Sequence, residues 1–123
     1  MVGKLKSMKI SVLIPVLNEE NNIIKTYKQI QNVFKNLNFS NNYEIVFSDN
    51  NSSDLTQKLI EQLCVEDKKV KYIRYKKNIG YDFSLFQGLS VSSGNAVLII
   101  DCDLQDPTET IKDFILEFIN GQV

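Results

Sequence analysis

Four times along this chain a short run of β-branched and aromatic residues gives way to a longer stretch of helical period. That alternation is the sequence sign of a parallel sheet covered by helices. The strand-like runs are Ile10 to Ile14, Tyr43 to Ser48, Val70 to Tyr75 and Ala96 to Ile100. Pro15 cannot donate to a ladder and is expected to end the first. The last is unbroken apolar, as a strand buried on both faces reads. Between the runs, apolar residues recur at three- and four-residue steps: Ile23, Ile24, Tyr27, Ile30, Phe34 and Leu37 in a helix from about Glu19, Leu55, Leu59, Ile60 and Leu63 in the second, and Phe83, Phe86 and Leu89 in the third. Asp106, Pro107 and Glu109 form a capping box that opens a fourth, with Ile111, Phe114, Ile115, Phe118 and Ile119.

Right-handed crossovers and short loops restrict four such units to a few arrangements, of which a doubly wound, Rossmann-like α/β order 3-2-1-4 with helices on both faces is expected. The direction of winding reverses between the first and fourth strands. The loops after Ile14 and Ile100 therefore flank the crevice where open α/β sheets bind ligands. At 123 residues the chain is expected to form one domain, residues 1–123, with residues 1–8 a flexible start.

Inventory limits the chemistry. There is no His and there are two Cys, Cys64 and Cys102, so a Ser-His-Asp triad, a His base and an ordinary zinc site are excluded. Fourteen basic against fifteen acidic residues provide no field for a nucleic-acid backbone. No stretch approaches the length of a membrane span and no secretion signal is legible, so a cytoplasmic chain is expected. Lys68, Lys69, Lys71, Lys76 and Lys77 crowd around the third strand. They read as protection of a sheet edge, with a phosphate-binding patch as the alternative.

The sharpest signal is Asp101-Cys102-Asp103-Leu104-Gln105-Asp106-Pro107, where the last strand reaches the crevice. In extended backbone Asp101, Asp103 and Gln105 share a side, while Cys102 and Leu104 point back toward apolar packing. Three oxygen donors suit a hard cation, Mg²⁺ or Mn²⁺. An EF-hand loop fits poorly, because Asp106 and Lys112 stand where its Gly and bidentate Glu are required. The bland reading, capping of the next helix, suits Asp106 better than Asp103. Two further loops end strands on the same side. Pro15-Val16-Leu17-Asn18-Glu19-Glu20 reads either as a helix cap or as a crevice wall, and Asp49-Asn50-Asn51-Ser52-Ser53-Asp54 either as a capping turn or as a carboxylate that accepts from a base or a sugar hydroxyl.

These segments, in this order, resemble the nucleotide-binding half of a family 2 glycosyltransferase with the GT-A fold. PVLNEE is similar to the family's opening Pro-x-x-Asn-Glu, SDNNSSDLT stands where Asp-Asp-Gly-Ser-x-Asp is common, and KKNIGYDFSLFQG is similar to its Asn-x-Gly segment. DCDLQDP resembles the Asp-x-Asp-Leu-Gln-Asp-Pro of polyprenyl- and dolichyl-phosphate sugar transferases.

The resemblance implies a metal-dependent transferase that moves a hexose from a nucleotide sugar to a polyprenyl-phosphate or glycan acceptor, in cell-envelope synthesis at the inner face of the membrane. It implies nucleotide contacts at Pro15, Asn18, Glu19, Asp49, Asn78, Gly80 and Asp101. Among these Asp49 meets the base, and Pro15 and Glu19 line base and ribose. Metal and diphosphate ligands are implied at Asp101, Asp103 and Gln105, and close helix packing at Gly80 and Gly88. Asn50 and Asn51 depart from the family's Asp and Gly; an amide carries no charge, and Asn tolerates a left-handed turn. The acceptor's base is expected in a C-terminal half beyond these residues, so the chain reads as truncated. The alternative is a non-catalytic fragment that binds donor or self-associates. A haloacid-type phosphatase lacks its nucleophile here, since the first strand ends in Pro15. An apolar fourth strand at a sheet edge also leaves one side to be covered by a partner, with a homodimer as one form.

Overall fold

A computed structural model describes residues 8–39, 42–104 and 106–121; most of the expected flexible start, and Gln105, lie outside them. The strands are β1 (Ile10–Val16), β2 (Tyr43–Asp49), β3 (Val70–Arg74) and β4 (Ala96–Ile99). They alternate with α1 (Ile23–Asn36), α2 (Thr56–Glu66), α3 (Tyr81–Val91) and α4 (Thr108–Ile119). All strand pairings are parallel and the order is β3-β2-β1-β4, as expected. Ile10, Val12, Ile14 and Val16 alternate onto one face, where they join Ile45, Phe47 and the buried sides of α1, α2 and α4. Leu13 and the polar Ser11, Glu44 and Ser48 face the other way, toward α3 and the turn behind it.

Several local readings are corrected. β1 runs through Pro15 to Val16, because pairing with β4 stops at Leu13 and only the β2 side of the ladder continues beyond it. α1 begins at Ile23 rather than near Glu19, since the Glu19 carbonyl first closes a turn with the N–H groups of Asn22 and Ile23. β4 is not buried on both faces: it is the sheet edge, and Ile99 is 41% exposed. Lys71 does not simply guard the other edge. Its Nζ reaches Glu44 Oε1 at 2.7 Å, under the sheet face that carries α3.

α3 inverts the usual amphipathic rule. Ser84 and Gly88 are its buried residues, whereas Tyr81, Phe83, Phe86 and Leu89 point outward. The reason lies in the close seat of the helix on β1 and β2. Ser84 Oγ bonds Ser48 Oγ at 2.9 Å, and a Cβ at Gly88 would run into Leu13 Cδ1. Gly80, which opens the helix, is required for a different reason: φ is 88° with no atom within 4 Å of a virtual Cβ, so conformation rather than space demands glycine.

Candidate functional site

Four loops leave the carboxyl ends of the strands and enclose a cleft of about 460 Å³. Pro15, Val16, Leu17 and Glu19 come from the β1 end, Asn50 from β2, Asn78, Tyr81 and Ser84 from the turn after β3 and α3, and Asp101, Cys102 and Asp103 from β4. Three consecutive peptide N–H groups of the first loop are held by side chains of the second. Asn18 N–H donates to Ser52 Oγ at 2.8 Å, Glu19 N–H to Thr56 Oγ1 at 2.8 Å and Glu20 N–H to Asp54 Oδ2 at 3.2 Å. In return Asn18 Oδ1 accepts from Ser53 N–H at 2.8 Å. Asn18 and Asn51 adopt left-handed φ of 54° and 71°, which Asn tolerates where most residues do not. Burial works against the Asp54 charge, but hydrogen bonds from Thr56 and the Glu20 N–H outweigh it and hold the carboxyl below its usual range.

Pro15, Glu19, Asn78, Asp101 and Asp103 are thus brought together at one cleft. Asn18, Asp49 and Gly80 are not among its lining residues. Asp49 is fully buried, and both carboxylate oxygens are engaged internally. Oδ1 accepts from Ser52 N–H (2.8 Å) and Oγ (2.6 Å), and Oδ2 from Tyr72 Oη (2.5 Å), with Arg74 Nε 3.8 Å away. Burial together with that carboxylate pushes the Tyr72 phenol far above its ordinary value, so Tyr72 remains the donor. In this arrangement Asp49 shapes the second loop from below.

The β4 loop differs from an extended strand. Residues 102–103 form a turn, closed by Leu104 N–H on the Asp101 carbonyl at 3.2 Å. Asp101 and Asp103 therefore both reach the cleft while Cys102 is buried, but Leu104 is 40% exposed instead of packed inward. Thr26 Oγ1 of α1 donates to the Cys102 carbonyl at 2.8 Å and anchors the turn. Burial, aided by the Glu19 and Asp103 charges, pushes the Cys102 thiol up to about 12. Asp101 and Asp103 are exposed and present carboxylate oxygens to the cleft, whereas Cys102 is 2% exposed. Among the described residues no three His, Cys, Asp or Glu side chains form a closed metal cage. Two carboxylates with room for ligand and water oxygens fit a hard divalent cation. Asp106 Oδ1 accepts from Thr108 N–H at 3.0 Å, but the expected capping box is corrected: α4 begins at Thr108 with Pro107 as its N-cap, one residue later than read from the sequence.

Sequence reasoning missed Tyr81 and Ser84. Tyr81 Oη lies 3.4 Å from Asp101 Oδ1, so the side chain bridges the two sides of the cleft. Its signal was its place, the first helical residue after a left-handed glycine at the carboxyl end of the sheet. Asn50 lines the cleft in place of the family's acid, with its Nδ2 2.7 Å from Asn78 Oδ1.

Residues 11–123 match the model of Glycosyl transferase family 2. The chain is 43% identical over 114 residues to the bactoprenol glucosyl transferase of Shigella phage SfV, covering 93% of this chain and 36% of that one. It is 42% identical over 114 residues to a prophage bactoprenol glucosyl transferase homolog of Escherichia coli K12, covering 93% and 37%. It thus spans about a third of the length of the curated relatives it matches. Among solved structures, S. aureus TarS 1-349 in complex with UDP-GlcNAc superposes with a TM-score of 0.71 at 24% identity, covering 92% of this chain and 32% of that one. The Pyrobaculum calidifontis mannosyltransferase PcManGT in complex with GDP-Man and Mn²⁺ superposes with a TM-score of 0.72 at 19% identity, covering 89% and 32%. At such identities the likeness shows the fold, which is that of GT-A enzymes. From the family match and the sheet order together, the chain belongs to glycosyl transferase family 2.

Proposed function

We propose that this chain binds a nucleotide-sugar donor and forms the donor-binding part of a transferase that delivers a hexose to a polyprenyl-phosphate acceptor at the cytoplasmic face of a membrane. The observation that carries the reading is the single cleft in which Pro15, Glu19, Asn50, Asn78, Asp101 and Asp103 meet from four strand ends. The names of the bactoprenol glucosyl transferase relatives support a glucosyl donor and a bactoprenol-type acceptor. Among the described residues no helix is long and apolar enough to cross a membrane.

Asp101 and Asp103, with Gln105 from the sequence pattern, would hold Mg²⁺ or Mn²⁺, which supplies countercharge for a departing nucleoside diphosphate. The protein's own part is to bind and orient. Glu19 offers a carboxylate acceptor to ribose hydroxyls, Pro15 an apolar wall, and the stitched β1 and β2 loops a fixed frame that does not need to reorganise when ligand arrives. Calorimetry of the chain with UDP and GDP tests this. Micromolar binding in Mn²⁺ that weakens at least tenfold in chelator is expected, and no heat with either nucleotide contradicts it. Transfer of labelled hexose to polyprenyl phosphate, or slow donor hydrolysis, separates an enzyme from a unit that only binds.

The second proposal concerns the outer edge of β4, which pairs with no other strand among the described residues. Ile99 is 41% exposed and Phe86 on α3 66%. Phe83 and Leu89 on the same helix are exposed as well, at 56% and 43%. A second copy is the proposed cover. Sedimentation of the chain at micromolar concentration is expected to show a dimer that Phe86→Glu returns to monomer; a monomeric parent chain contradicts it.

A further inference from the structure

No Lys or Arg among the described residues lines the cleft, and its charged lining residues are Glu19, Asp101 and Asp103. A diphosphate seated at the carboxylate end still has oxygens that a cation does not cover, and setting them among carboxylates without hydrogen bonds is costly. The lining residues offer few side-chain donors for them. Ser84 is buried and already engaged: Ser48 Oγ donates to the Ser84 carbonyl at 2.8 Å, which leaves Ser84 Oγ the donor in the 2.9 Å contact between the two hydroxyls. Asn50 and Asn78 join each other at the β2 side, and β1 separates that side from β4.

Tyr81 is placed differently. It is the first residue of α3, it is exposed, and its Oη stands 3.4 Å from Asp101 Oδ1 with no other hydrogen bond among the described residues. A phenol is protonated at neutral pH and an ionised carboxylate only accepts, so Tyr81 is the donor. At 3.4 Å the bond is longer than the usual range for two oxygens, so little is lost when the hydroxyl exchanges it for an acceptor at ordinary distance. The start of α3 is fixed meanwhile by the Ser84 contact with Ser48 and by the close seat of Gly88 on Leu13. A turn of the Tyr81 side chain about its own bonds is then all that the exchange requires.

We propose that Tyr81 is a donor to the diphosphate of the bound nucleotide sugar: its hydroxyl passes from Asp101 to a phosphate oxygen and takes the place of the cationic side chain that the cleft lacks. The proton stays on Tyr81 throughout, so only the hydrogen-bond partner changes. The inference rests on the donor-binding reading given under Proposed function and adds to it the side chain that meets the diphosphate from α3.

Tyr81→Phe removes one oxygen and keeps the ring. Its urea midpoint is expected to match that of the parent chain, because Asp101 is the hydroxyl's one partner among the described residues. Tyr81→Met, with the same expected losses, serves should Tyr81→Phe not fold. Calorimetry in saturating Mn²⁺, with UDP and with pyrophosphate, is the test. Both probes are expected to bind the variant about tenfold or more weakly than the parent chain, the usual size for loss of a hydrogen bond to a charged group. Mn²⁺ alone, followed by electron paramagnetic resonance, is expected to bind both proteins with the same affinity. Parent-like affinity of the variant for UDP and pyrophosphate overturns the inference. So does a loss for UDP that pyrophosphate does not share, which puts the contact away from the phosphates. A matching loss for Mn²⁺ alone also overturns it, since Tyr81 would then only steady Asp101. Failure of the folded parent chain to bind either probe in Mn²⁺ overturns the donor-binding reading itself.

Discussion

Replacing Asp103 by Ala is expected to abolish the Mn²⁺-dependent part of nucleoside diphosphate binding, a loss at least as large as the roughly 10–100-fold that removal of a metal ligand's outer-shell partner costs. Asp103 is exposed at the cleft and makes no hydrogen bond among the described residues, so stability should move by less than about 0.5 kcal/mol. Asp101→Ala is expected to act in the same direction and also frees Tyr81, whose hydroxyl approaches Asp101 Oδ1. Calorimetry in Mn²⁺ and in chelator checks both variants. Unchanged affinity in Mn²⁺ would remove Asp103 from the cation's ligands.

The second large effect concerns stability. Glu44 on β2 is 2% exposed, yet Lys71 Nζ lies 2.7 Å and Lys9 Nζ 3.3 Å from its Oε1. Ser11 Oγ and Ser93 N–H each donate to Oε2 at 2.6 Å. Burial alone would raise this carboxyl, but the bonds from Lys71, Ser11 and Ser93 outweigh it and lower it from 4.5 to about 2. A carboxyl lowered in the folded state contributes stability that is fully present above its unfolded value. That contribution is lost as pH falls from about 4.5 toward 2. Glu44→Gln is expected to cost about 2–4 kcal/mol at pH 7, and the gap to the parent chain should close as pH falls. Urea unfolding at pH 7 and pH 3.5 measures it; a gap of equal size at both would show that the charge is not responsible.

The legible part of this molecule was its backbone order. β-branched runs at Ile10, Tyr43, Val70 and Ala96 mark strands because short, dense apolar segments have few other uses, and parallel connections then leave few orders. The cleft followed from that order, because Asp101 and Glu19 end neighbouring strands. What stayed hidden depended on distances between elements. Phe83 and Phe86 carry the apolar signal of a buried face, but the nearness of α3 to β1 and β2 leaves room only for Ser84 and Gly88. Asp49 looked like a crevice acid because it ends β2, and only the coordinates show Ser52, Tyr72 and Arg74 closing around it. Lys71 reads as a solvated edge charge until its reach to Glu44 is seen.

The central claim is that a cation and a nucleoside diphosphate meet at the carboxyl ends of β1, β2 and β4. Mn²⁺ broadening of amide signals from the ¹⁵N-labelled chain saturated with UDP tests it most directly. Signals of Glu19 and of residues 101–104 are expected to vanish first, while those around Asp67 and Glu66, an acidic pair by the polar groove lined by Tyr27 and Lys69, remain sharp. Broadening centred on Asp67 that spares Asp101 and Asp103 would contradict the account.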